Sequence, residues 1–307
     1  MNSLENVYSF CTLNAPSLSP YKYFHFVSRL FLLVEDDWSV QETAKLQAQF
    51  TNIEASERWR WLESYLHNPN LPADPEKQRL LQKYSSIRPF ARNSFIFYFG
   101  KKIFSHDFTE DLNRHSDKES VERVFFELLR EENEISVLST YAINFLILAN
   151  KQFGFVEHAA LLQNLIDIMN RVYQVQDVVT RQRWLYFITH LIIAESCFYT
   201  QDLTDTAKEL LLEPFNQMEK SIGNMPEEFS IDGCCEYIVC ARILGKEPQH
   251  ASTVYTYAVK NISSIGNYVI EPASINANTL METFESAEHR NAVFLGAFLP
   301  NQMQLKP

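Results

Sequence analysis

"TRQRWLYFITHLIIAESCFY" (Thr180–Tyr199) runs without a Gly or Pro, and its apolar residues fall on every side of a helix rather than on one stripe. All-round apolarity marks a helix buried inside a domain. At about 100° per residue, Arg183, Tyr186, His190 and Cys197 share one narrow polar stripe, with Gln182, Thr189 and Ser196 beside it. Glu195 points the other way, into the arc of Trp184, Ile188, Leu191 and Phe198. A histidine in such a stripe is either structural, bonded to a Tyr or a carbonyl, or an acid/base group. A carboxylate in an apolar arc either pairs with an Arg of a neighbouring helix or, unpaired, has a raised pKa suited to proton transfer.

The same texture recurs outward from this stretch. Ile135–Gln152, Phe229–Leu244 and Thr279–Leu299 also read as buried helices. Between them lie segments with a single apolar stripe: Val156–Tyr173 (Leu162, Leu165, Ile166, Met169, Val172), Leu203–Ile222 (Ala207, Leu211, Phe215, Met218) and Gln249–Ile265. Inner and outer helices alternating every roughly 45–50 residues predict stacked αα-hairpins, closed into an α/α toroid or open as a curved helical solenoid. The fold class is therefore all-α. The scarcity of Gly, 7 in 307 residues, agrees, since hairpin turns of sheets draw on residues at positive φ.

The N-terminal third predicts helices at Pro16–Glu35, Ser39–Asn52, Glu54–Asn68 and Pro75–Phe104. The last should break at Arg88-Pro89, where the proline removes a helical donor. His67–Lys77 reads as a loop. The polar stretch Ser105–Ser120 suggests a division into a helical N-terminal subdomain (1–104), a linker (105–116) and a toroid-like αα-hairpin domain (117–307).

Composition narrows the function. A net charge of −11 argues against a nucleic-acid partner, because phosphate binding needs clustered cations. The basic-aromatic stretch from Arg79 to Lys102 reads as a packed helix face. The start carries no signal-peptide pattern, and the apolar span Ile135–Asn150 is too short to cross a bilayer, so no membrane partner is expected. Five cysteines without regular spacing suggest reduced thiols and a cytoplasmic location. Cys234, Cys235 and Cys240 lack the spacing of a zinc site.

Further ionisable groups fall on the other buried helices. In "TLMETFESAEHRNAVFLGAFLP" (Thr279–Pro300), Glu282, Glu285, Ser286 and His289 line one stripe. Glu285 and His289 stand one turn apart, so they could act as an acid/base pair or share a metal ion. Gly296 continues the stripe, leaving room for a ligand or a close helix contact. Asp232, Glu236 and Cys240 form a comparable row on Phe229–Leu244. The candidate catalytic residues are thus His190, His289, Glu285, Tyr186 and Glu195, and the residues name no cofactor.

"LFLLVEDDWSVQE" (Leu30–Glu42) and "QDLTDTAKE" (Gln201–Glu209) resemble the two metal-binding motifs of class I terpene cyclases. They depart from them at Val40, Gln201 and Asp205. Ser39 with Glu42, and Thr206 with Glu209, also fit helix-opening capping boxes. No GxGxxG, P-loop, HExxH or GxSxG is present.

"YFITHL" (Tyr186–Leu191), "CARILGKEP" (Cys240–Pro248) and "EHRNAVFLGAFL" (Glu288–Leu299) together resemble an uncharacterised bacterial family of all-α, toroid-like domains. The resemblance covers about the C-terminal 130 residues. Thr189-His190 matches a Thr-His pair of that family. His289 matches the histidine of a Tyr-His-Thr-Thr, with Arg290 and Asn291 replacing the two Thr. The resemblance implies the fold and two histidines, His190 and His289, facing a shared cavity; it implies no reaction. Two readings follow. One is an enzyme of biosynthetic or tailoring type, acting on a small molecule or peptide in a helical cavity. The other is a helical-repeat scaffold that binds a partner segment in its concave face. A homodimer is compatible with either.

Overall fold

The computed structural model describes residues 3–65, 72, 74–173, 178–264, 266–272 and 282–300. Among these the protein is all-α, with the antiparallel pairing of Ile262 and Val269 as the one extended contact. The helices are α1 (Ser3–Asn14), α2 (Pro20–Leu33), α3 (Asp37–Thr51), α4 (Arg58–Tyr65), α5 (Pro75–Lys83), α6 (Ile87–Phe104), α7 (Thr109–His115) and α8 (Lys118–Leu128). They continue as α9 (Glu132–Leu138), α10 (Thr140–Phe153), α11 (His158–Val172), α12 (Val178–Glu195), α13 (Asp205–Asn224), α14 (Ile231–Ile243), α15 (Ala251–Val259) and α16 (Phe284–Phe298). No described helix is long and apolar enough to cross a membrane.

The chain divides into two compact units, Met1–Glu54 with Asn216–Pro307, and Ala55–Phe215. This replaces the expected partition. The N-terminal helices α1–α3 join the C-terminal ones instead of forming a subdomain with residues 55–104. The expected linker 105–116 lies inside the second unit and carries α7. Its charges suggest a loop, but Phe108 and Leu112 anchor it. Phe108 is fully buried and lies so close to Gly100 that a Cβ there would stand 2.7 Å from its ring.

In the first unit α2, α16 and α14 lie side by side and run parallel. Lys22 and His25 of α2 meet Glu288, while Leu33 meets Gly296 about two turns further on. Asp232 of α14 faces His289, and Arg242 donates to the carbonyls of Gly296 and Ala297. The outer helices return antiparallel. α3 comes back on α2 through Phe26–Trp38 and Tyr23–Glu42; α15 comes back on α14 through Tyr237–His250 and Phe229–Tyr257. In the second unit α10 and α12 are parallel, joined by Asn144–His190 and Lys151–Glu195, with α11 returning between them in sequence. Within each unit, then, helices pair antiparallel: α2 with α3, α14 with α15, and α11 with α12.

Helix ends depart from expectation for local reasons. Asp36, not Ser39, caps α3 by accepting from Ser39 N at 2.6 Å, so that helix begins earlier. The Thr204 hydroxyl accepts from Ala207 N, so α13 likewise opens ahead of the Thr206–Glu209 box. The expected break at Arg88-Pro89 sits instead at residues 84–86. Pro89 falls in the first turn of α6, where a missing N–H costs nothing. Ile135–Gln152 is two helices, because Ser139 (φ 50°, ψ −117°) interrupts it. α12 stops at Glu195 and is followed by Cys197, Phe198 and Tyr199, all at positive φ (50°, 56°, 69°). That left-handed turn costs roughly 1–2 kcal/mol per residue. Ser196 Oγ accepts from Tyr199 N, and Phe198 packs on Phe95 and Phe99. α1 was not anticipated. The expected loop His67–Lys77 lies largely outside the described residues, apart from Pro72 and Asp74 onward.

Gly296 serves the close helix contact. A Cβ there would stand 2.5 Å from Leu33 Cδ1 and 3.1 Å from its Cβ. Gly296→Ala is expected to destabilise by about 1–3 kcal/mol, the cost of overpacking a core. The urea midpoint measures it, and Leu33→Ala in the same chain should recover part of the loss.

A candidate acid/base site on three parallel helices

Each helix of the first unit's inner row is positioned by its own sequence. Pro20 opens α2 at its first position. Ser230 accepts from Gly233 N to cap α14. Thr283 and Ser286 bond reciprocally to cap α16. These caps fix where the polar residues of each helix point, and several converge.

Glu288 is fully buried. His25 Nδ1 lies 2.7 Å from its Oε1 and Lys22 Nζ 3.3 Å from its Oε2. Beside them the rings of His25 and His289 are 5.3 Å apart. His289 Nε2 faces Glu236 Oε1 at 3.5 Å and Asp232 Oδ2 at 3.9 Å, one helix turn apart on α14. Both distances exceed a hydrogen bond. His289 Nδ1 is buried and has no hydrogen-bond partner. The His289 side chain is 31% exposed, Lys22 22%, Asp232 15% and Glu236 2%, so solvent reaches the cluster chiefly at His289 and Lys22.

The electrostatics separate the members. Burial first, and then the Arg29 charge, lower the His25 pKa to about 3, which keeps the ring neutral. Burial alone would raise Glu288, but His25, Lys22 and His289 overcome it and hold the carboxyl at about 2. The consistent state is an ionised Glu288 that accepts the Nδ1–H of neutral His25 while Lys22 supplies the positive charge. Next to His289 on α16, Arg290 pairs with Glu271 and Glu282, both at 2.9 Å. Burial and the charge of Asp232 raise Glu271 to about 7.

The structure redistributes the residues named from the sequence. His289 belongs to the cluster. Glu285, expected as its partner, instead accepts from Ser19 N at 3.2 Å and Ser19 Oγ at 2.6 Å, at the start of α2. A carboxylate in the first turn of α16 is drawn to the neighbouring helix terminus, while His289 turns toward α14. Cys240, in the row with Asp232 and Glu236, is fully buried; burial and Glu236 push its thiol well up.

His190, Tyr186 and Glu195 lie in the second unit. His190 Nδ1 meets Asn144 Oδ1 at 3.0 Å, and Tyr186 stands half-buried one turn before it. Glu195 is a paired charge, though with Lys151 at 2.9 Å and His158 at 2.7 Å rather than with an Arg. Asn150 sets the His158 tautomer. Its Oδ1 accepts from Val156 N and its Nδ2 donates to Val156 O, so that same amide nitrogen must donate to His158 Nδ1. The ring then donates from Nε2 to Glu195. His190 thus bonds to Asn144, whereas Glu195 bonds to Lys151 and His158.

Sequence reading missed His25, Lys22, Glu288 and His158. The signal for His25 was present in "PYKYFHFVSRLFLL" (Pro20–Leu33), a histidine and an arginine inside an apolar helix. Among the described residues no group of three His, Cys, Asp or Glu side chains is placed to hold a metal ion, and all five cysteines are buried and form no disulfide. Set against known proteins, the chain matches no protein-family model, no curated protein and no solved structure.

Proposed function

We propose that the protein is an enzyme that moves a proton on a small molecule or peptide, with His289, Asp232 and Glu236 as the reacting groups. The observation that carries this reading is the part-exposed side chain of His289, its Nε2 set 3.5 and 3.9 Å from two carboxylates. A spacing just beyond hydrogen-bond length leaves the imidazole Nε2 able to turn to a substrate proton. The carboxylates stabilise the imidazolium that forms. His25, Glu288 and Lys22 form the buried backing that fixes α16 against α2.

No observation favours the scaffold alternative. Among the described residues the exposed large apolar ones, Leu13, Val40, Val179, Leu212 and Met225, stand singly on separate stretches, as on ordinary surfaces. The terpene-cyclase reading loses Asp36 to the α3 cap, and its two motifs fall in different units.

The test is turnover of a pooled library of metabolites and short peptides, followed by mass spectrometry. Species consumed by the wild type should be consumed about 100-fold more slowly by His289→Gln, the lower end for general acid/base groups, with an unchanged unfolding midpoint. Equal turnover by the variant, or none by the wild type across the library, overturns the proposal.

A further inference from the structure

An open cavity of about 620 Å³ lies at the C-terminal ends of α14 and α16. It is within the size range of small-ligand sites and shares no lining residue with the acid/base cluster. Ile238, Pro248, Ala251 and Phe298 supply apolar wall; Arg242 and Lys246 supply cations. Arg242 is half-buried and held rigidly by two bonds to carbonyls, Nη1 to Gly296 O at 2.7 Å and Nη2 to Ala297 O at 2.5 Å. Neither carbonyl carries a full charge, and no carboxylate among the described residues stands within ion-pair distance of this guanidinium. Glu247 lies on the same wall beyond that distance. Partial burial lowers the Arg242 pKa and the charge of Glu247 opposes that shift from a distance; an anionic ligand in the cavity would give the guanidinium a direct charge-assisted partner. Two of its five donors are engaged, leaving others for a ligand. The first turn of α15 at Ala251 has no side-chain cap and borders the same space.

We infer that this cavity binds a small organic anion, its charged group on Arg242 and its apolar body against Ile238, Pro248, Ala251 and Phe298. The assignment does not depend on the acid/base reading, because it involves other residues and a binding readout.

Octanoate is the probe, titrated into the full-length protein while the amide signals of Gly245 and Ala251 are followed by NMR. Saturable shifts are expected. 1-Octanol, lacking the charge, and inorganic phosphate, lacking the apolar body, should each bind at least about tenfold more weakly. Arg242→Gln should weaken octanoate at least tenfold. Since that change also removes two bonds to α16, Ala251→Trp serves as a second variant that fills the cavity and leaves the cation in place; it should abolish binding. Absence of saturable shifts, octanol binding as tightly as octanoate, or octanoate binding unaffected by Ala251→Trp would each reduce Arg242 to a cap on α16 and overturn the inference.

Discussion

Glu288→Ala is expected to lower the stability of the first unit by about 3–5 kcal/mol, the usual cost of removing one partner from a buried ionic group. Three losses combine. Lys22 gives up its ion pair, His25 Nδ1–H loses its acceptor at 2.7 Å, and a void opens where no part of the side chain was exposed. An unsatisfied buried donor alone costs about 1–3 kcal/mol. Lys22→Met should cost much less, since the lysine side chain is 22% exposed and Glu288 keeps its bond to His25. Urea unfolding can be followed by Trp38, the one tryptophan of the four that falls in the first unit and a neighbour of Phe26 on α2. A Glu288→Ala loss no larger than that of Lys22→Met would show that the carboxylate does not organise the cluster.

The pH dependence of stability should depend on Glu271. His25 falls from 6.5 to about 3 on folding, so between those values the unfolded chain binds the extra proton and stability rises with pH. Glu271 rises from 4.5 to about 7, so between 4.5 and 7 the folded protein binds the extra proton and stability falls with pH. The two slopes, each about 1.4 kcal/mol per pH unit, oppose one another between pH 4.5 and 6.5, and the wild type should vary little there. Glu271→Gln removes the falling contribution, so its stability should climb by about 1.4 kcal/mol per pH unit across that window. Below pH 4.5 Glu288, held at about 2, adds a rise of the same sign in both proteins. Urea midpoints of wild type and variant at several pH values between 4.5 and 6.5 decide the matter; parallel curves would mean that Glu271 is ionised throughout.

Hydrophobic periodicity carried the fold class, because burial leaves its mark on every turn. Helix ends were less legible. Asp36 and Thr204 each had a competitor a few residues on, and the left-handed turn at Cys197–Tyr199 has no Gly to announce it. The division of the chain was hidden, since nothing local to α2 says that its partner is α16. The same blindness governed the site. His289 could be named from one helix, but its carboxylates Asp232 and Glu236 come from another, and the nearer Glu285 was the wrong choice. Periodicity states which face of a helix is polar; it does not state what that face meets.

A unit assembled from two separate stretches of a chain has a consequence for synthesis. Residues 55–215 are continuous and can fold while the ribosome is still at work, since domains generally fold as units and in order of emergence. α2 leaves the ribosome early but cannot bury His25 or Arg29 until α16 has been made. At about 5–20 residues per second that delay runs to tens of seconds. Through that interval the nascent helix displays Phe24, Phe26, Val27 and Leu30, all fully buried in the finished protein, as a sticky surface for chaperones. Slowing translation after residue 215 should therefore lower the yield of native protein more than the same slowing before residue 55.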